Sequence, residues 1–489
     1  MKKQSSSSNP PSFLSTNLTA RLDRLPWGRF HTIVTIALSL GWMLDAFETN
    51  IIGSVLGQIK QVWHLSKFQG YALVDSWVLG IAVGAVLFGY YSDRKGRKKM
   101  FIFTLVWYAA FSVVTALSWN FNSLLAFRFL AAVGVGGEYS AVTAAMVEFI
   151  PKKHRGKTSA LILAGFPVGG MISALAADFF LNHFSAGVGW RLGFGLGAAL
   201  AVFGLWVRYA IPESPRWLVM HGHADEAEKI VCKVENSVAT EKGIVLKPVT
   251  AHVRVGNERH DFVRQMKELF SRYRWRMTLA CSLNFAQASV VYGIMPLLSL
   301  AILPHVNVPA VKMPFFYFMG SFAALGGSLL AAFSLDTFGR KGTVFTGYTL
   351  ATAGIIGLYF AATPMTVLLG YAFVQFCIIG ASNSSYVVTS EILPIRNRAT
   401  GLGISVTAGR MGAFAAPLLF SLTHSPGLAL LILTAMILPG PIASLIWCFK
   451  GTEAKHRSLE EISHETGQRA DDTVTVATAS PLDQAGTVA

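Results

Sequence analysis

The chain is short of charge. Only 14% of its 489 residues are Asp, Glu, Lys or Arg, while 53% are hydrophobic and the mean hydropathy is +0.48. Soluble domains carry about 25% charged residues, so this composition excludes an ordinary water-solvated enzyme and a disordered protein alike. Acids are scarcer still, 26 against 41 Lys and Arg. The four cysteines, Cys232, Cys281, Cys377 and Cys448, lack C-x-x-C spacing, so neither a disulfide framework nor a thiolate metal site is expected. Outside the apolar runs there is no Ser/His/Asp grouping, no His/Glu metal spacing and no phosphate loop. The glycines of VGVGG, residues 133–137, fall inside an apolar run with no βαβ context, which removes a dinucleotide loop. A membrane enzyme or sensor is left without a motif.

What the chain has in abundance is long apolar runs. About 20 such residues cross the hydrocarbon core as a helix. Twelve stretches qualify: 31–53, 70–91, 100–118, 123–148, 158–180, 189–210, 276–302, 314–335, 343–362, 365–389, 400–423 and 425–449. The opening MKKQSSSSNPPS is polar and Ser/Pro-rich, reads as a disordered tail, and shows no cleavable signal. Positive charge gathers on one side of the spans: Arg21, Arg24 and Arg29 before the first, Arg94 to Lys99 after the second, and Lys152, Lys153, Arg155 and Lys157 after the fourth. By the positive-inside rule both termini are expected in the cytoplasm. The net charge of +15 is then a topology signal and calls for no nucleic acid.

The basic stretch GYYSDRKGRKK at 89–99 has an echo, AFSLDTFGRKG at 332–342. Adding 243 to Asp93, Gly96 and Arg97 gives Asp336, Gly339 and Arg340. The same offset carries Gly137 to Gly380, Glu148 to Glu391, Pro151 to Pro394, Arg155 to Arg398 and Gly169 to Gly412. A constant offset without gaps means a duplicated six-helix unit, and parallel repeats of this kind hold substrate between the halves near mid-membrane. The expected organisation is a tail over 1–30, a first half over 31–211, a linker over 212–275, a second half over 276–449 and a tail over 450–489.

With these motifs the chain resembles the major facilitator superfamily of secondary transporters. DRKGRKK and DTFGRKG are similar to its loop signature, and GGEYSAVTAAMVEFIPKKHRGK and SEILPIRNRATG to its E-x-x-P-x-x-x-R motif. PESPRWL at 212–218 is similar to the sugar porters and their metabolite:proton symporter relatives, and the preamble LDRLPWGRFH to the niacin-type porters. The resemblance implies an all-α membrane fold of twelve transmembrane helices in two pseudo-symmetric halves. It also implies a cytoplasmic charge network, Asp93, Arg97, Glu148 and Arg155 with Asp336, Arg340, Glu391 and Arg398, that latches the halves together on one side. A purely topological role for the basic residues is the alternative.

Ionisable residues inside the spans are the sharpest site candidates, because a charge at the bilayer centre is costly and rarely idle. GWMLDAFETN places Asp45 and Glu48 three residues apart, on one side of a helix, where paired carboxylates suit a transported proton. Helix-packing ion pairs with Arg128 are the competing account. Glu138 is a further intramembrane acid. Arg410 lies deep in the eleventh stretch, its repeat partner is Pro167, and its planar fork suits a substrate carboxylate. Charge compensation of Asp45 or Glu48 explains it equally well. Asn284, Gln287 and Tyr292 in the seventh stretch, with Asn383 and Tyr386 in the tenth, complete the substrate candidates, though polar groups also serve as interhelical glue. The expectation is therefore a transporter, not an enzyme: proton symport of a small polar organic solute such as an organic acid, in the bacterial inner membrane, by a monomer. A sugar porter and a facilitator or antiporter of the same fold are the alternatives. No cofactor or metal is called for; the proton gradient supplies the coupling ion.

Overall fold

The computed structural model describes residues 14–151, 154–208, 212–246, 248–249, 253–255, 262–393 and 397–450. Among them are twelve long helices. The first half holds α1 (Arg29–Val62), α2 (Lys67–Lys95), α3 (Arg97–Ala116), α4 (Phe121–Phe149), α5 (Arg155–His183) and α6 (Ala186–Arg208). The second holds α7 (Arg274–Leu297), α8 (Met313–Thr337), α9 (Gly339–Tyr359), α10 (Pro364–Ile392), α11 (Arg398–Ser421) and α12, which runs as Pro426–Ile437 and Pro439–Lys450. Ten of the twelve have the length and hydropathy to cross a membrane, and α4 contributes the shorter apolar segment Phe121–Gly136. Side chains such as Val86, Phe103, Phe203, Phe322 and Phe333 stand exposed along them, as a lipid-facing surface requires. The helix starts are written locally. Ser66 accepts from Gln69 N at 3.2 Å and Gln69 returns the bond to Ser66 N, while Pro364 and Pro426 occupy first turns where no amide partner is lost.

The duplication seen in the sequence has a packing counterpart. In the first half α1 lies along α5 and α2 along α4; in the second α7 lies along α11 and α8 along α10. Gly84 of α2 sits so close to Val133 of α4 that a Cβ would overlap its carbonyl oxygen. Adding 243 to both residues gives Gly327 and Phe376, which make the same backbone approach between α8 and α10. Small residues that bring backbones together replace the hydrophobic drive that lipid cannot supply.

The halves meet along α5–α8 and α2–α11, and they close tightly at the end of the bundle remote from the basic loops, called here the far face. There α7 breaks into a π turn, Leu298–Ile302, before a last helical turn, Leu303–His305. The turn aims Ser299 Oγ at the Gly53 carbonyl of α1, 2.7 Å away, and Tyr317 OH donates to Met295 O at 2.7 Å. Met295 packs on Gly53, Met313 on Gly57, Leu300 on Gly70, and Tyr71 meets Phe420 edge-on at 6.2 Å. The hydroxyls of Ser299 and Tyr317 thus find carbonyl partners inside the bundle, as buried polar groups away from water require.

On the basic face the part of the expected tail that is described, from residue 14, is folded; the opening MKKQSSSSNPPS lies outside the described residues. Residues 14–28 do not hang free of the fold. Leu14–Thr16 pairs antiparallel with Val253–Val255, a short ribbon in an otherwise helical chain, and Leu18–Asp23 packs on the linker helix Ala224–Lys242. Arg21 bonds Glu235 and Glu228 at 2.5 Å, and Arg24 also reaches Glu235. Glu213 of the linker accepts the Lys98 amide at 3.1 Å, beside Gly96, whose φ of +98° suits glycine alone. The acid thereby sits at the amino end of α3, where unpaired amides and the helix dipole favour it. Burial works against the Glu235 charge, but hydrogen bonds from Arg21 and Arg24 outweigh it and hold that carboxyl below its ordinary range.

Two outcomes follow. Gly84→Val and Gly327→Val should each destabilise the purified protein by about 1–3 kcal/mol through overpacking, whereas Gly89→Ala, with nothing within 4 Å, should leave its thermal unfolding unchanged. A carboxyl held low contributes stability that is complete above its unfolded pKa and is lost as pH falls through the folded one. The clasp of the N-terminal helix should therefore persist from neutral pH down through the ordinary carboxylate range. Glu235→Gln should open it at every pH, seen as faster tryptic cleavage after Arg24. Equal cleavage rates in the variant and the parent would refute the clasp.

Candidate functional site

Between the halves lies a central cavity of about 750 Å³, counting the space open to solvent. It is lined by Asp45 and Trp42 of α1, Phe166 of α5, Asn284, Gln287 and Tyr292 of α7, Asn383 and Tyr386 of α10, and Arg410 of α11. All six residues named as substrate candidates from the sequence face this one space, together with one of the proton candidates. They come from helices distant in sequence, and only the docking of α7, α10 and α11 against α1 and α5 brings them together.

Arg410 is the centre of charge. Its Nη1 donates to Tyr292 OH at 3.0 Å, and the guanidinium lies 5.7 Å from that ring's centroid. Asp45 acts electrostatically on Arg410 from across the cavity. A single hydrogen bond to a phenol leaves a five-donor fork with further capacity. The amide wall is ordered: Gln287 Nε2 donates to Asn284 Oδ1 at 3.1 Å, Ser382 Oγ donates to Gln287 Oε1, and Asn383 Nδ2 donates to Ser328 Oγ at 2.7 Å. Trp42, Phe166 and Tyr386 add flat apolar faces. The arrangement can hold one anionic group at Arg410 and a planar body beside it. Neighbouring Ser384 and Ser385 turn away and bond their own helix at Gly380 O and Ala381 O.

The expected pairing of Asp45 with Glu48 does not form. Glu48 is buried and faces the interior of the first half, where Ser112 Oγ donates to its Oε1 at 3.3 Å and Arg128 is the positive charge acting on it. Arg128 is buried too. Its guanidinium lies 4.7 Å from the Trp77 ring and 5.0 Å from the Phe194 ring, and its nitrogens make no hydrogen bond among the described residues. Residues three apart are separated by ~60° around a helix. That angle is enough to put Asp45 in the cavity and Glu48 against α3 and α6.

Of the eight-residue charge network, the side chains of Arg340 and Glu391 are described. Its one pair among the described side chains stays inside a half. Arg340 Nε and Nη2 reach the Glu391 carboxylate at 3.2 and 3.3 Å, and Nη1 donates to Leu335 O at 3.1 Å. The positive φ of Gly339 turns the chain so that Arg340 begins α9 beside the end of α10. This pair staples α8, α9 and α10 to one another and does not bridge the halves. The side chains of Asp93, Arg97, Glu138, Glu148, Arg155, Asp336 and Arg398 lie outside the described residues.

Asp75 escaped the sequence reading. It is buried in α2, in the stretch YALVDSWVLG, and the rule that singled out Asp45 applies to it equally. Trp42, Phe166 and Ser382 were also missed, because apolar and small side chains in a membrane helix carry no signal of which face they take.

Comparison with known proteins gives the family. Residues 33–465 match the family described as Sugar (and other) transporter. The niacin transporter NiaP of Acinetobacter baylyi is 29% identical over 455 residues, 91% of this chain and 99% of that one. The inner membrane metabolite transport protein YgcS of Escherichia coli is 26% identical, covering 87% of this chain and 93% of that one. The fold is shared with the inward open conformation of the E. coli xylose transporter XylE, with a TM-score of 0.67 at 20% identity over 89% of this chain and 99% of that one. The chain belongs to the sugar (and other) transporter family of the major facilitator superfamily, and is an integral membrane secondary transporter and not an enzyme.

Proposed function

We propose that the protein imports a small aromatic or heteroaromatic carboxylate together with a proton, by alternating access, with both termini in the cytoplasm of a bacterial cell. The observation that carries this reading is Arg410, deep in a membrane cavity, bonded to a phenol and bordered by aromatic faces and one acid. A relative of nearly full coverage is named for niacin, a pyridine carboxylate of this chemistry, and proton symport is named for the xylose transporter that shares the fold. The basic face, with Arg94, Lys95, Lys98 and Lys99, is assigned to the cytoplasm by the positive-inside rule. Residues of one chain line the cavity, which supports a monomeric transporting unit.

Each residue then has a task. The Arg410 fork takes the substrate carboxylate, and Tyr292 fixes the fork's direction. Trp42, Phe166 and Tyr386 flank the ring, and the Asn284–Gln287 amides meet a ring heteroatom or substituent. In the absence of substrate Asp45 balances the arginine. When a second carboxylate arrives, two negative charges share one cation, and a proton drawn onto Asp45 restores the balance. Binding and protonation are thereby linked, and the linkage is reciprocal. Glu48 is the other proton candidate. Protonating it would leave Arg128 without its counter-charge inside the first half, so proton uptake there would act on the packing of α1 against α3, α4 and α6. Glu138 remains a third proton candidate, and the eight charges on the basic face remain candidates for gating.

The test is uptake of radiolabelled niacin by proteoliposomes under an inward-acid gradient. Asp45→Asn should abolish uphill accumulation while niacin exchange persists, and Arg410→Lys should raise the half-saturating niacin concentration about tenfold or more by losing the planar fork. Gradient-driven accumulation by Asp45→Asn at neutral pH would overturn the role of this acid. Glu48→Gln leaves a buried cation uncompensated and should cost about 3–5 kcal/mol of stability, restored in large part by adding Arg128→Gln. A double-mutant cycle of thermal stabilities reads that coupling directly. Zero coupling energy would remove the Glu48–Arg128 pair.

A further inference from the structure

We propose that a second ligand site, for a lipophilic amine, lies outside the transport cavity in a cleft between α2, α4 and α11, with Asp75 as its anionic anchor. The cleft measures about 1200 Å³, including space open to its surroundings, and its walls include Tyr71, Leu79, Phe129, Phe414 and Leu418. It does not share a lining residue with the central cavity. Phe68, Asn122 and Ser421, at the far-face ends of the three helices, also line it.

Asp75 is what distinguishes this cleft from an ordinary groove between lipid-facing helices. The residue is 6% exposed, and Asp75 Oδ1 has no hydrogen-bond partner among the described residues. No Lys, Arg or His lines the cleft among the described residues, and Tyr71 is the one other titratable group there. Two other acids of the described membrane helices are answered from within the protein: buried Glu48 has Ser112 and Arg128, and half-buried Asp45 has Arg410. A carboxylate without such an answer in an apolar wall is left two stable conditions, the neutral acid or an ion pair with a cation from outside. The walls select the second partner's body: aliphatic and aromatic surface accepts a hydrophobic chain or ring, and aromatic faces also attract an ammonium group. Charge complementarity therefore points to a small amine carrying an apolar body, entering from the bilayer.

The location gives such a ligand a consequence. α2 and α4 belong to the first half and α11 to the second, and α2 packs on α11 beside the cleft, with Tyr71 edge-on to Phe420. A ligand held on both sides ties the halves in their present arrangement. It slows the cycle without competing for Arg410.

The experiment uses the full chain in phosphatidylcholine nanodiscs and three probes with one body: 4-phenylbutylamine, 4-phenylbutanol and 4-phenylbutyrate. Calorimetry should show saturable binding of the amine and at least about tenfold weaker binding of the alcohol and the acid, as expected for a charge-assisted contact of 1.4 kcal/mol or more. Asp75→Asn should reduce the amine to the level of the alcohol. Ala126→Trp, which fills the cleft and leaves Asp75 in place, should abolish binding of all three, so the conclusion does not hang on one variant. In proteoliposomes the amine should lower the maximal uptake rate without changing the half-saturating substrate concentration. Equal affinity for amine and alcohol, no amine binding at all, or full binding by Asp75→Asn would each overturn the proposal; no amine binding would leave Asp75 a buried neutral acid. Binding is read without transport, so its failure is distinct from failure of the carboxylate-import reading.

Discussion

Hydrocarbon solvates neither a charge nor a bare peptide group, and nearly every feature described above is an answer to that constraint. The protein answers each intramembrane cation differently. Arg410 has a phenol and a carboxylate across a cavity; Arg128 has two aromatic faces and a buried glutamate; Arg191 bonds the Gly187 and Ser118 carbonyls and lies over Trp190. The same demand explains the far face. Where α7 loosens into a π turn, Ser299 and Tyr317 supply hydroxyls to the carbonyls of Gly53 and Met295. The contact that satisfies the backbone is also the contact that joins α1 to α7 across the halves.

The duplication divides labour in a way the packing makes plain. One close helix crossing obeys the offset of 243: Gly84 on Val133 becomes Gly327 on Phe376. Positions that carry charge inside the spans break it. Asp45 corresponds to Ala288, Glu48 to Val291, Asp75 to Phe318, Arg128 to Tyr371 and Arg410 to Pro167. A symmetric scaffold supplies two bodies that can rock about a common interface, and asymmetric charge gives that motion something to bind. At that crossing neither copy accepts a side chain, because a Cβ would strike a carbonyl. A charge needs only one wall of a shared cavity.

The basic face joins the tail, the loops and the linker. Glu213 caps α3 at the turn made by Gly96, and the linker helix holds the N-terminal arm through Arg21, Arg24 and Glu235. Motifs that look like separate signatures in the sequence, the PESPRWL stretch and the D-x-x-G-R loop, are parts of one contact. Arg340 and Glu391 show the same economy inside the second half, where one ion pair fastens the ends of three helices.

By itself the sequence determined the membrane class, the twelve spans, the six-plus-six organisation and most of the cavity's polar groups. These follow from composition, from the length of apolar runs and from a constant repeat offset, all of which are linear properties of the chain. Tertiary structure alone decided how Asp45 and Glu48 part company. Their spacing leaves them ~60° apart around α1, and which of them meets the cavity depends on the rotation of that helix, set where Gly169 of α5 presses on the Met43 backbone. It likewise decided that Arg340 binds within its own half, that residues 14–28 pack on the linker, and that Asp75 faces a cleft where its Oδ1 has no hydrogen-bond partner among the described residues. A side chain's direction is a property of packing between helices, and no spacing along one helix contains it.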